Sequence, residues 1–489
     1  MSIFTQDFPA GLPIGNGWSL TRESAPVIFP FDGTVVCDAP VGNVEDANAA
    51  LEHALGIRKA VENLSSYVRK ELLARTQAAL VARTTEFEQL LVLETGKPLR
   101  DCKVEVARTV LTLETAAGEV SRLHGETVPL DLLPSGEGMT GFWVRKPIGV
   151  VVGITGFNYP LLLASHKIAP AIAAGCPVII KPAPQTPLST LWLIHIMREI
   201  AAQLSIPQGV VQLVTGDANV GATLVSDPRI GAVSFTGSAG VGHAISRLAA
   251  PRKTLLELGS NSALVVDESA NVGAAAAAAV RGSYYASGQA CISVQRVIVL
   301  EAIAQEFISS LKKHMANVVV GDPRDGATHI SALINEASTS RVSDWIAQAV
   351  SAGAVIAHGG TLQGKAFAPT VILEPPTASL VWHEEIFGPV MCVRTVATID
   401  EAFALVNESR YGLQASIFTS SLANTFAALN TLEVGGVVVN DVPGFRSDSM
   451  PYGGVKDSGI GREGPRFAAE EFTITRMAII RPDIKGANS

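Results

Sequence analysis

Cys291, within GSYYASGQACISVQR (282–296), is the cysteine whose surroundings best suit a nucleophile. It follows Ser287-Gly288-Gln289-Ala290, a small flexible run in which a thiol can face a ligand. Taken alone it reads more readily as a core atom, because cysteine is among the most buried residue types. Cys37, Cys102, Cys176 and Cys392 lie in mixed or apolar stretches without C-x-x-C spacing or a nearby His. Glu257 closes the apolar run TLLELG. A carboxylate at the C-terminal end of a strand faces the crevice where α/β folds bind ligands. Semi-apolar surroundings would raise its pKa and suit a general base, though a plain strand-end Glu fits as well. Asn158, in TGFNYP, has an amide that can donate to a developing oxyanion, or it simply favours the turn before Tyr159-Pro160. SFTGSAGVGHAI (234–245) reads as a strand, a Gly-rich turn and a helix start, a junction whose N–H groups bind phosphate. Its glycines at 237, 240 and 242 do not make G-x-G-x-x-G, so the usual dinucleotide fingerprint is absent.

The elements around these residues alternate. From Glu45 to about Ala117, apolar residues at helical spacing, as in NAALEHALGIRKAVENL and RKELLARTQAALVARTTEFEQLLVLETG, predict two or three amphipathic helices, the latter stretch ended at Gly96-Lys97-Pro98. VPLDLLPSGEGMTGFWVRKPIG predicts a hairpin around Pro134–Gly138. GVVVGIT, PVIIKPA, VVQLVTG and AVSFTG then read as short buried strands between helices, with Thr186 or Ser189 capping the helix of TPLSTLWLIHIMREIAAQL. This is the pattern of βαβ units and a parallel sheet. A second alternation runs from SALVVD through the Ala-rich NVGAAAAAAVRGSYYASG to about Asn440, and EEFTITRMAII predicts an exposed strand that must pair with something.

With 489 residues, 47% of them hydrophobic and 17% charged, the chain predicts two or three domains of roughly 100–200 residues each. The net charge of −8 comes from scattered residues, without a Lys/Arg run to suggest nucleic acid or a membrane surface. No basic start followed by an apolar block marks a signal peptide, and the five cysteines fit a reducing compartment. Ile148–Ser165 is near membrane-spanning length but is interrupted by Gly153, Asn158 and Pro160. A cytoplasmic, soluble protein without a metal site is expected.

GFNYP, IIKPAPQTP, FTGSAGVG, LELGSNS, GQACISVQR, EEIFGPV and MPYGGVKDSGIGREG stand in one order along residues 25–480. Together they resemble the NAD(P)-dependent aldehyde dehydrogenase superfamily. The resemblance implies an α/β fold: a doubly wound cofactor-binding domain (1–124 and 142–257), an α/β catalytic domain (258–440), and a small β oligomerisation hairpin and tail (125–141 and 465–489). It makes Cys291 the nucleophile that forms a thiohemiacetal and then a thioester. Asn158 and the Cys291 N–H would hold the oxyanion, and Glu257 would activate the deacylating water and is placed to deprotonate the thiol. Lys167 and Glu463 match positions for proton relay or support. For NAD or NADP, Lys181 would meet the adenosine ribose, Gly237 and Ser238 the pyrophosphate, and Glu385 the nicotinamide ribose, with Phe387 near the ring. Pro184 stands where a Glu would repel a 2′-phosphate, so the expectation is NAD with NADP tolerated.

For the substrate, Arg108, Arg446 and Tyr159 are the candidate contacts, and Ala290 before the cysteine speaks against a dianion. A small polar aldehyde such as lactaldehyde, glycolaldehyde or succinate semialdehyde is expected, handled by a homodimer or homotetramer. The alternatives are a coenzyme A–acylating relative, disfavoured because Glu257 is present, an enzyme for a phosphonate or phosphorylated aldehyde, and a catalytically silent protein on the same fold.

Overall fold

The computed structural model describes residues 10–481; the ends of the expected first and last segments, 1–9 and 482–489, lie outside the described residues. One sheet has the strand order Gly459–Ile460, Lys253–Glu257, Ala232–Thr236, Val151–Ile154, Val178–Lys181 and Val211–Leu213. All neighbours are parallel except Gly459–Ile460, which runs antiparallel to Lys253–Glu257. From Val151–Ile154 the chain winds one way through two strands, then returns to the other side at Ala232–Thr236. The C-terminal ends of these two adjacent strands therefore form a topological switch point, the place where open α/β sheets bind ligands.

Their composition explains the burial. The apolar runs Val150–Val152 and Val178–Ile180 are covered on both faces, as a parallel sheet requires. The helix Pro160–Ala174 is buried along its whole length, begins with proline and ends at Gly175 with φ +84°, where a left-handed residue closes the last turn. The stretch weighed as a membrane span is thus a strand, a turn and the start of this helix, and among the described residues no helix is long and apolar enough to cross a membrane.

Two local expectations change. The N-terminal helical region holds Val44–Glu62, Ser66–Ala82, Thr84–Thr95 and Leu99–Glu119, one helix more than periodicity suggests. The extra break, at Arg83, has no side-chain cap. Neither Thr186 nor Ser189 caps the helix Leu188–Gln203. Instead the buried carboxylate of Glu94 accepts from the N–H groups of Leu188 (2.8 Å) and Ser189 (3.1 Å).

A second sheet runs Val355–His358, Thr370–Leu373, Val390–Val396, Arg296–Leu300, Ala263–Val266, Gln414–Phe418 and Gly436–Val439, parallel except for the first strand. A third is antiparallel: Thr473–Ile480 pairs along its length with Thr140–Pro147, which also takes Thr127–Val128. The segment expected as a tail from 465 opens with the helix Pro465–Glu471, packed on Pro160–Ala174, before it becomes this strand.

The loop carrying Cys291 joins the helix Val272–Tyr284 to the strand Arg296–Leu300. Ala286, Ser287 and Gly288 have φ of +48°, +56° and +72°. Two consecutive non-glycine residues there are strained and must be held by their surroundings. Asp101 Oδ2 accepts from Ala286 N at 2.9 Å, Ser287 Oγ accepts from Ser331 N at 2.9 Å, and Gln289 Oε1 accepts from Ile334 N at 3.1 Å. At Gly288 a Cβ would lie 2.1 Å from the carbonyl oxygen of Gly388. Gly288→Ala is therefore expected to cost about 2 kcal/mol or more, read as a lowered melting temperature together with reduced Cys291 reactivity. Unchanged values of both would contradict this account of the loop.

Candidate active site

A cavity of 1050 Å³ opens at the switch point and reaches the Cys291 loop. Its walls include Asn158, Glu257, Cys291, Glu385, Arg446 and Tyr452, drawn from segments hundreds of residues apart.

Asn158 is set by a chain of buried polar contacts. Glu105 Oε1 accepts from Leu161 N and Leu162 N at 3.0 and 3.1 Å, capping the helix Pro160–Ala174. The other oxygen of Glu105 pairs with Lys97, whose ammonium donates to the Asn158 carbonyl at 2.8 Å and sits 3.7 Å from the centre of the Tyr159 ring. The Asn158 amide donates to the Gln289 carbonyl at 2.8 Å, two residues before the thiol. One amide hydrogen thus ties the turn to the cysteine loop, and the second remains for a ligand.

Burial pushes the Cys291 thiol up to about 12; the Tyr452 hydroxyl, 3.6 Å from Sγ, pulls in the opposite direction. Burial, with Glu463 nearby, also raises Glu257 well above the ordinary carboxylate range, and its Oε2 has no hydrogen-bond partner. Glu463 behaves in reverse. Burial alone would raise it, but Lys167, His166 and Arg446 hold it well below the usual value. Lys167 Nζ donates to Glu463 Oε1 at 3.1 Å and to Thr236 Oγ1 at 2.7 Å. Lys167 and Glu463 thus stand behind the cavity wall and balance charge there.

Of the expected cofactor contacts, Gly237 and Ser238 line the cavity at the end of Ala232–Thr236, where Ser238 begins the helix Ala239–Ala249 without a side-chain cap. The first N–H groups of that helix are therefore free for an anion. A Cβ on Gly240 would meet nothing within 4 Å, so the approach is open. Burial raises Glu385 to about 7, opposed by the Ser260 N–H at 3.0 Å, and Phe387 packs edge-on to Phe157 at 5.6 Å. Lys181 and Pro184 do not line the cavity. Lys181 is buried at the end of its strand, and Pro184 is exposed.

Arg108 and Arg446 line the cavity, but each already has a carboxylate. Arg108 Nη2 donates to Asp448 Oδ1 at 2.9 Å. Arg446 Nη2 donates to Glu463 Oε2 at 3.3 Å, while its buried Nε has no hydrogen-bond partner. Three site residues had escaped the sequence reading: Tyr452, Asp448 and His166. His166 Nε2 lies 3.1 Å from Asp448 Oδ1 and its Nδ1 lies 3.3 Å from Glu463 Oε2. Tyr452 lay within the quoted MPYGG motif; neither periodicity nor spacing singles out the other two.

Residues 18–478 match the aldehyde dehydrogenase family. The chain is 39% identical over 482 residues to 3-sulfolactaldehyde dehydrogenase of Priestia megaterium, covering 98% of this chain and 100% of that one. It is 34% identical over 466 residues to lactaldehyde dehydrogenase of Methanococcus aeolicus, covering 95% and 99%. Among solved structures it superposes on an aldehyde dehydrogenase from Physcomitrella patens in complex with the reaction product succinate, with TM-score 0.93, 34% identity and 96% and 98% coverage. Glyceraldehyde-3-phosphate dehydrogenase from Methanocaldococcus jannaschii, complexed with NADP, gives TM-score 0.91 at 33% identity, covering 94% and 100%. With its ordered motifs, its two large, mainly parallel sheets and a match over residues 18–478, the chain belongs to the aldehyde dehydrogenase family.

Proposed function

We propose that this aldehyde dehydrogenase oxidises a short polar aldehyde to the carboxylic acid, using NAD or NADP. The observation that carries this reading is the convergence of Cys291, Glu257 and Asn158 on one cavity. The Cys291 thiolate attacks the carbonyl carbon, and the oxyanion of the thiohemiacetal is met by the Asn158 amide and the Cys291 N–H. When bound, NAD or NADP supplies the two-electron oxidising power. The free N–H groups beyond Ser238, the open approach at Gly240 and the cavity-facing carboxylate of Glu385 suit its pyrophosphate and ribose. Glu257 then takes a proton from the water that hydrolyses the thioester. Pro184 offers neither a carboxylate against a 2′-phosphate nor a hydroxyl toward it, so NAD is the preferred cofactor and NADP is accepted.

The aldehyde is short and carries a hydroxyl or a single anionic group. Lactaldehyde, glycolaldehyde, succinate semialdehyde and 3-sulfolactaldehyde define the class. Two arginines on the wall, Tyr159 beside them and the small Ala290 before the cysteine support it, as do the names of the relatives. Arg108→Gln is expected to raise KM about tenfold for an anionic aldehyde and less than twofold for a neutral one of equal length. Equal changes for both would sink the anion-binding role.

Glu257 acts as the carboxylate, and its pKa lies above the ordinary value. Turnover limited by deacylation therefore rises with pH through that raised pKa. Glu257→Gln is expected to lose this limb, to fall about 10²–10³-fold in steady-state rate, and to release one equivalent of reduced nicotinamide per site in an initial burst. A steady-state rate and pH profile like the wild type would remove Glu257 from the mechanism.

The outer strand Thr473–Ile480 keeps Ile474, Met477, Ile479 and Ile480 exposed, and such an edge calls for a partner. A second copy is that partner, in a homodimer or homotetramer. Light scattering at micromolar concentration is expected to give two or four times the chain mass, and a monomer would refute it.

A further inference from the structure

Tyr452 is 3% exposed, and its hydroxyl lies 3.6 Å from Cys291 Sγ. Among the described residues it is the hydrogen-bonding partner of that sulfur. Two contacts hold the residue in place. The backbone of Tyr452 forms a two-way bridge with Glu463, 3.1 Å in one direction and 2.6 Å in the other. The guanidinium of Arg446 lies over the ring, 3.7 Å from its centre. Next along the chain, a Cβ on Gly453 would stand 2.8 Å from Glu257 Oε1, so the segment also runs close against the acid. The tyrosine cannot swing away without breaking the bridge to Glu463 or the stack under Arg446.

We infer that Tyr452 is a further catalytic residue: its hydroxyl donates a hydrogen bond to the Cys291 thiolate and holds the sulfur toward the aldehyde carbon. The inference rests on Cys291 being the nucleophile.

With a neutral thiol, either atom can donate and the contact is weak, since S–H is a poor donor. Once the sulfur is ionised only the O–H can donate, and a hydrogen bond to a charged acceptor is about twice as strong. The contact therefore favours the reactive state over the resting one. Burial and the neighbouring Cys291 keep the phenol protonated, raising it well above its ordinary value, so the donor persists across the working pH range. The stacked cation of Arg446 pulls the phenol the other way, and by drawing electron density from the ring makes its O–H a stronger donor. Burial of Cys291 between Glu257 and Glu385 works against the thiolate, which makes the single donor consequential.

The test is the pH dependence of Cys291 alkylation by iodoacetamide in the full-length protein, with the signal of Cys291→Ala subtracted for the other four cysteines. In Tyr452→Phe, which keeps the ring under Arg446, the midpoint is expected to rise by about one to two pH units. The rate at a fixed pH below the midpoint falls about fourfold per unit, because a thiolate of higher pKa is the better nucleophile and partly offsets its scarcity. Turnover of the best aldehyde falls with it, and KM changes little. Tyr452→Leu, which removes ring and hydroxyl together, must show at least the same shift. A Tyr452→Phe profile that matches the wild type overturns the proposal. So does a shift confined to Tyr452→Leu, which would assign the effect to the stacked ring. Aldehyde oxidation surviving in Cys291→Ala would instead defeat the underlying reading, and the two failures are separate.

Discussion

A buried carboxylate sets the charge balance of the whole centre. Glu463 faces Lys167 with one oxygen, and Arg446 and His166 with the other. Lys167 is fully buried and Arg446 nearly so; without that acid, Lys167 would lose its carboxylate and Arg446 would keep only Asp448 at 3.9 Å, and an uncompensated buried charge costs several kcal/mol. The same cluster bears on the second acid. Burial and the like charge of Glu463 raise Glu257 above the ordinary carboxylate range against the pull of Arg446 and Lys167, and one of its oxygens is unpartnered. Two carboxylates in one cluster are thus driven apart, one to structure and the other to proton transfer.

The scaffold delivers these groups by linking each to a helix end or a sheet edge. Lys97 and Glu105 together fix the Asn158 turn and the start of the helix that carries His166 and Lys167. Glu94 does the same for the next helix. These acids serve as caps from a distance, so the N-terminal helices are fastened to the helices of the first sheet domain by polar contacts as well as by apolar packing. The strand Gly459–Ile460 brings the chain back to the edge of the first sheet after the second is complete. That return sets Tyr452 and Glu463 against Cys291 and Lys167.

Much of this was legible in the residues themselves. Cys291, Glu257 and Asn158 stand in local motifs whose flanking glycines and apolar runs show a strand end or a turn, and that local chemistry survives folding. The strand and helix alternation followed from period and from Val/Ile enrichment. What stayed hidden depends on partners far along the chain. Asp448 meets Arg108 across 340 positions and His166 across 282, so no window of sequence reveals either pair. The cap on Leu188–Gln203 was sought in neighbouring hydroxyls, and a carboxylate 94 positions away supplies it. Arg108 and Arg446, expected as substrate contacts, are each already tied to an acid, so an incoming anion must compete for them.

The surroundings that raise the Cys291 thiol also bear on its oxidation between turnovers. Peroxides attack thiolates and leave thiols largely alone, and the later steps of that oxidation cannot be reversed. Whatever raises the Cys291 thiol thus slows peroxide attack as well as aldehyde attack, and a donor that favours the thiolate trades some of that protection for reactivity.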